Sequence, residues 1–171
     1  NAGLQHISPL EDFPEQNWIK LVHIMLIAPF QLTKYVIPAM KIQRWGRIIN
    51  LSSIHGLVAS PFKSAYVSAK HGLVGLTRTA ALELGEFGIT VNAICPGYSN
   101  TSLTKNQIAK QARVRGISEN DVVEKVLMEP AAIKNLIEPD EIASLALFLA
   151  SDDARSITGA ALSIDSGWTA R

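Results

Sequence analysis

Two short apolar runs rich in β-branched residues, Arg47-Ile48-Ile49-Asn50-Leu51 and Thr90-Val91-Asn92-Ala93-Ile94-Cys95, each follow a long segment with apolar residues at helical spacing. No other feature constrains the fold as much. Parallel strands need a crossover of a dozen or more residues, usually a helix, and strands covered on both faces lack polar alternation. The pattern predicts an α/β fold: a parallel sheet with helices on both faces, in one domain over residues 1–171.

The first helix is predicted from Glu15 to about Met40, with Asp12 as a cap and Pro14 near the first turn, where a missing N–H does no harm. Pro29 lies inside it and removes the donor to the carbonyl of Met25, which predicts a kink at that turn. A second helix spans about Lys63 to Glu86, with Gly85 and Gly88 at its exit. Pro96-Gly97 stops the second strand. From Ser99 to about Glu138 the pattern weakens into short polar helical pieces broken at Gly116 and Pro130, so residues 99–138 are expected to form a mobile lid. Pro139 opens another helix to about Ser151, and Ile157 to Ile164 supplies the last strand.

Charge narrows the partners. Lys+Arg (16) and Asp+Glu (15) nearly cancel to +1, leaving no electrostatic footprint for nucleic acid or an anionic membrane. The greasiest stretch, Trp18 to Met40, is interrupted by Lys20, His23, Gln31 and Lys34, so no uncharged run reaches the ~18 residues of a bilayer span. A soluble, cytoplasmic protein is expected. Its single cysteine, Cys95, excludes an internal disulfide and fits a reducing compartment. Cys95 itself reads as a core residue, and His6, His23 and His71 lack metal-ligand spacing, so no metal site is expected. The opening Asn1-Ala2-Gly3 has no initiator Met and no signal-peptide pattern, and the chain is expected to be truncated on its N-terminal side.

In open parallel sheets ligands bind beyond the carboxyl ends of the strands. Ser52, Ser53 and His55 follow the first strand; Pro96, Gly97, Tyr98 and Thr101 follow the second. Tyr66 and Lys70, four residues apart, share one face of the intervening helix. A phenol is a poor base at neutral pH, but an ammonium one turn away favours phenolate, and a serine hydroxyl beside it can stabilise charge on the same substrate oxygen. The constellation suits redox chemistry at a carbinol carbon. Locally, Ser52 and Ser53 are equally strand-end hydroxyls and Gln107 a surface amide. Lys63 at a helix start opposes the dipole, which leaves a carboxylate partner or a solvated lysine as its two readings.

Asn1-Ala2-Gly3, Ser53, Tyr66 thirteen positions on, Lys70, Pro96-Gly97 and Thr101 together resemble the short-chain dehydrogenase/reductase family over essentially the whole sequence. The resemblance implies a Rossmann-like fold, of which this chain would hold the C-terminal two-thirds, and an NAD-dependent oxidoreductase. In it Ser53 orients the substrate oxygen, Tyr66 is the acid/base, and Lys70 binds the nicotinamide ribose while lowering the tyrosine pKa. Asn1, Gly3, Pro96, Gly97 and Thr101 match positions beside the cofactor. Gln5, His55, Lys63, Gln107 and Trp168 look like the 3-hydroxybutyrate dehydrogenase branch, in which residues matching the first four hold a substrate carboxylate. A small hydroxy or keto acid is the implied substrate. A homodimer or homotetramer is the implied assembly, through the helices at about 15–42 and 63–86.

Two departures stand out. None of the 11 glycines forms the family's glycine-rich phosphate-binding turn, and the position of its catalytic asparagine holds Met25, whose carbonyl Pro29 leaves without its usual donor. Another short-chain reductase, or a catalytically silent oligomerising chain, are the alternative readings.

Overall fold

A computed structural model describes residues 3–170, apart from the side chains of 103, 110, 111 and 114. Three strands, β1 (Gly46–Leu51), β2 (Ile89–Pro96) and β3 (Ala161–Ile164), form one sheet in the order β1-β2-β3. Both pairings are parallel, with Gly46 opposite Ile89 and Ala93 opposite Ala161. The α/β class expected from the alternating pattern holds.

Strand alternation explains the two covered faces. Ile48 and Val91 point to the side of α2 (Ala28–Gln43) and α3 (Ser64–Leu84), where they meet Ile37, Met40, Ala80, Ala81 and Leu84. Ile49, Leu51 and Ile94 point the other way, onto Ile142, Leu145 and Leu149 of α6 (Pro139–Ala150). Asn50 lies on the first side without breaking the core, because its amide donates to the Thr77 hydroxyl at 2.9 Å, as a buried amide must.

The long N-terminal helix forms without breaking at Pro29. α1 (Glu15–Val22) passes into one π turn, His23–Ile27, and α2 resumes at Ala28. The Ala28 N–H reaches back five residues to the His23 carbonyl, so the helix widens just ahead of the proline that cannot donate. Met25, in that turn, is only 1% exposed and packs with Leu21, Ala65 and Ala69. By length and composition the continuous 29-residue helix Glu15–Gln43 is apolar enough to cross a membrane. In the structure α1 and the π turn pack on α3.

The last strand begins later than its apolar run. Residues 157–160 form a loop because Gly159 takes φ +72° and the Asn92 side chain takes the hydrogen bonds there, donating to the Ile157 carbonyl and accepting from the Ala160 N–H. Residues 99–138 hold α4 (Ser102–Arg115), α5 (Glu119–Val122) and a π turn at Val123–Leu127. They gather a small core of their own around Ile108, Val122, Leu127 and Met128.

At the sheet's carboxyl edge two glycines are close-approach points. A Cβ at Gly97 would lie 3.1 Å from the Asp165 Cα, and one at Gly56 only 2.5 Å from Ser52 Oγ and 2.8 Å from the Lys70 carbonyl oxygen. Gly56→Ala is therefore expected to destabilise the fold by ~1–3 kcal/mol through overpacking, read as a lowered chemical-denaturation midpoint. An unaltered midpoint would mean that the loop has room to give.

Candidate active site

Beyond the ends of β1 and β2 lies a cavity of about 230 Å³. From the β1 end it is lined by Ser52, Ser53 and His55, and from the start of α3 by Lys63, Tyr66 and Lys70. Gly3 and Gln5 close one side; Pro96, Gly97, Thr101 and Gln107 close the other. The structure thus gathers nearly all the residues singled out in the sequence. Asn1 falls outside the described residues. Trp168 does not line the cavity: its ring stands edge-on behind His55 at 6.1 Å, and its indole N–H donates to the Leu127 carbonyl at 3.2 Å.

Local structure aims each group. The Ser52 N–H continues the sheet ladder to the Ile94 carbonyl at 2.7 Å, and its hydroxyl donates to the Lys70 carbonyl at 3.1 Å, tying the loop to α3. Ser53, in extended backbone, accepts from the His55 N–H at 3.2 Å and caps the short helical turn Ile54–Gly56. Lys70 reaches down to the end of β1 and donates to the Leu51 carbonyl at 2.8 Å. Its Nζ lies 5.7 Å from the centre of the Tyr66 ring.

The electrostatics correct one expectation. Burial pushes the Tyr66 phenol above its ordinary pKa, with the Ser53 hydrogen bond opposing the shift. Lys70, itself lowered to about 8 by burial, is not what sets the tyrosine. Desolvation of the phenolate outweighs an ammonium already engaged with the Leu51 carbonyl. The ligand-free site holds a neutral phenol. Burial likewise raises the Cys95 thiol, consistent with its reading as core.

A second cluster carries charge. Lys63 is buried, 7% exposed, and burial lowers its pKa. The ion pairs of the described residues, Arg47 with Asp152 and Lys125 with Asp121, leave it without a carboxylate. Its Nζ donates instead to His55 Nε2 at 3.4 Å and to the Tyr98 hydroxyl at 3.5 Å. Burial, and secondarily the Lys63 charge, lower His55 to about 4, against the opposing effect of the Val58 backbone. His55 is therefore neutral, and with Nε2 accepting, the ring proton is assigned to the buried Nδ1. Among the described residues no three His, Cys, Asp or Glu side chains are grouped to hold a metal.

The pH consequence has a definite sign. Since the unfolded chain binds a proton at His55 near pH 6.5 and the folded chain only near 4, stability falls as pH drops from 6.5 to 4. The loss reaches about 3 kcal/mol at most. Denaturation at stepped pH should show a shallower acid loss in His55→Gln; equal slopes would mean that other groups govern the acid limb.

Tyr98 and Thr104 also line the cavity and were not singled out as site residues from the sequence. The signal for Thr104 was present: Thr101, Thr104 and Gln107 are spaced by three, which aligns them on one side of a helix. Thr101 caps α4, accepting from the Thr104 N–H at 3.4 Å.

A family model described as enoyl-(acyl carrier protein) reductase matches residues 1–169. The chain belongs to the short-chain dehydrogenase/reductase family. Within that family it is 53% identical over its full length to a D-beta-hydroxybutyrate dehydrogenase of Rhizobium meliloti and 44% identical to one of Cupriavidus necator; it covers 66% of the length of each. Among solved structures, a 4-hydroxyisoleucine dehydrogenase mutant complexed with NADH and succinate matches the whole chain with a TM-score of 0.89 at 33% identity, over 67% of that chain. Membership accounts for the parallel sheet flanked by helices.

Proposed function

We propose that the chain forms the catalytic part of an NAD-dependent oxidoreductase that interconverts 3-hydroxybutyrate and acetoacetate. The observation that carries this reading is Lys63: a buried ammonium without a carboxylate partner, opening onto the cavity that holds Tyr66 and Ser53. A buried cation is costly unless something pairs with it, and a substrate carboxylate is the natural complement. The matching names of the two hydroxybutyrate dehydrogenase relatives support the same acid.

The residues beside the cavity fit the nicotinamide end of the cofactor. Gly3 lines the cavity, and a Cβ added there would meet nothing within 4 Å, so space remains beside it. Lys70 would face the ribose, with Pro96, Gly97 and Thr101 along the nicotinamide. When bound, the nicotinamide supplies the hydride acceptor or donor. Tyr66 gives its proton to the carbonyl oxygen in reduction and takes it back in oxidation, and the Ser53 hydroxyl holds that same oxygen. Lys63 fixes the carboxylate, with the Gln5 and Gln107 amides as directional partners, while His55, at the same seat, accepts from Lys63 and holds its ammonium in place. Residues 99–138 act as the lid over the substrate.

Two or four copies assemble through the helices at about 15–42 and 63–86; α2 exposes Phe30, Leu32 and Tyr35, apolar side chains that an interface would cover. The reading is tested by titrating the 171-residue chain with NADH, with and without acetoacetate. Saturable binding that tightens with acetoacetate, followed by NADH oxidation, is the expected result. A folded chain that binds neither would return the reading to a silent oligomeric module.

A further inference from the structure

Tyr98 stands where the anion would dock. Its hydroxyl accepts from Lys63 at 3.5 Å, its ring lies 5.7 Å from the same Nζ, and both side chains face the cavity with Tyr66. Because the phenolic oxygen accepts from Lys63, its own O–H is free to point to a third atom. Burial keeps that phenol protonated, and the proximity of Tyr66 reinforces it. The other Lys63 contact, His55 Nε2, has no proton to offer in the neutral tautomer assigned above. The ammonium is thus flanked by one acceptor and one hydroxyl with a proton to give.

We infer that Tyr98 is a specificity-determining residue: its O–H donates to the carboxylate oxygen of the substrate while Lys63 supplies the charge. Together they make a two-donor seat that selects a short carboxylic acid over its neutral amide or ester. The inference rests on the acid-substrate reading above and assigns part of the selection to a side chain outside the Ser53–Tyr66–Lys70 set. A carboxylate oxygen accepts from both donors with its negative charge strengthening each bond, whereas the carbonyl oxygen of a carboxamide or ester offers the same two sites without the charge that pairs with Lys63.

The probes are butyrate and butyramide, titrated by ligand-observed NMR against the full 171-residue chain. The unsubstituted chain is expected to prefer butyrate by about tenfold or more. Tyr98→Phe, which retains the ring and removes only the hydroxyl, is expected to weaken butyrate by about five- to tenfold and butyramide by less than twofold. A lost preference in Lys63→Ala with full preference in Tyr98→Phe would make the tyrosine a wall residue and overturn the inference alone. No preference for butyrate in the unsubstituted chain, or no detectable binding of it, would overturn the acid-substrate reading and the inference together.

Discussion

Tyr66→Phe is expected to lower turnover in both directions by about 10³-fold, with NADH affinity within about twofold of the parent. The substitution removes the hydroxyl beside Ser53 and Lys70, which burial, opposed by Ser53, holds in the cavity as a neutral phenol. A proton donor is therefore ready for ketone reduction across the neutral range. Alcohol oxidation needs the phenolate, and its rate should climb with pH while the reduction rate does not. Stopped-flow NADH absorbance in both directions checks this. If Tyr66→Phe keeps more than about a tenth of the activity, well below the usual loss of a general acid, another group moves the proton.

Lys63→Ala should reduce kcat/KM for the hydroxy acid by about 10²-fold, in the range for deleting one partner of a buried charged pair, while a neutral ketone loses far less. Its effect on folding has the opposite sign. With no carboxylate to compensate it, the buried ammonium destabilises the ligand-free protein, so Lys63→Met is expected to unfold at a higher temperature than the parent. Loss of activity with gain of stability identifies a side chain retained for its ligand. Loss of both would make Lys63 a structural element of the α3 start.

Burial on both faces is written directly into the chain, so β1 and β2 were legible from Ile48-Ile49 and Val91 to Ile94, and α3 from its apolar spacing between two breakers. The site was legible because strand ends and a four-residue helical spacing fix where Ser53, Tyr66 and Lys70 must meet. Three things were not. The state of Tyr66 depends on how deeply the phenol is buried and on the Leu51 carbonyl occupying Lys70, neither of which is a property of spacing. Tyr98 gains its place only when β2 brings it against the start of α3. The late start of β3 reflects a tertiary contest, in which the Asn92 amide satisfies a loop that local propensity would extend.

The π turn at His23–Ile27 alters how positions along the first long helix should be counted. A five-residue hydrogen-bonded turn accommodates one more residue than an α turn, so everything after it is rotated by about 100° relative to an uninterrupted helix. A helical wheel drawn through Glu15–Gln43 as one cylinder would assign Phe30, Leu32 and Tyr35 the wrong azimuth with respect to Leu21. Cross-linkers or spin labels for the outer face must be placed with α1 and α2 counted separately. Deleting a single residue within the turn would let it close as an α turn with α2 keeping its orientation, whereas closing it with all residues retained would swing the outward side chains of α2 by about 100°.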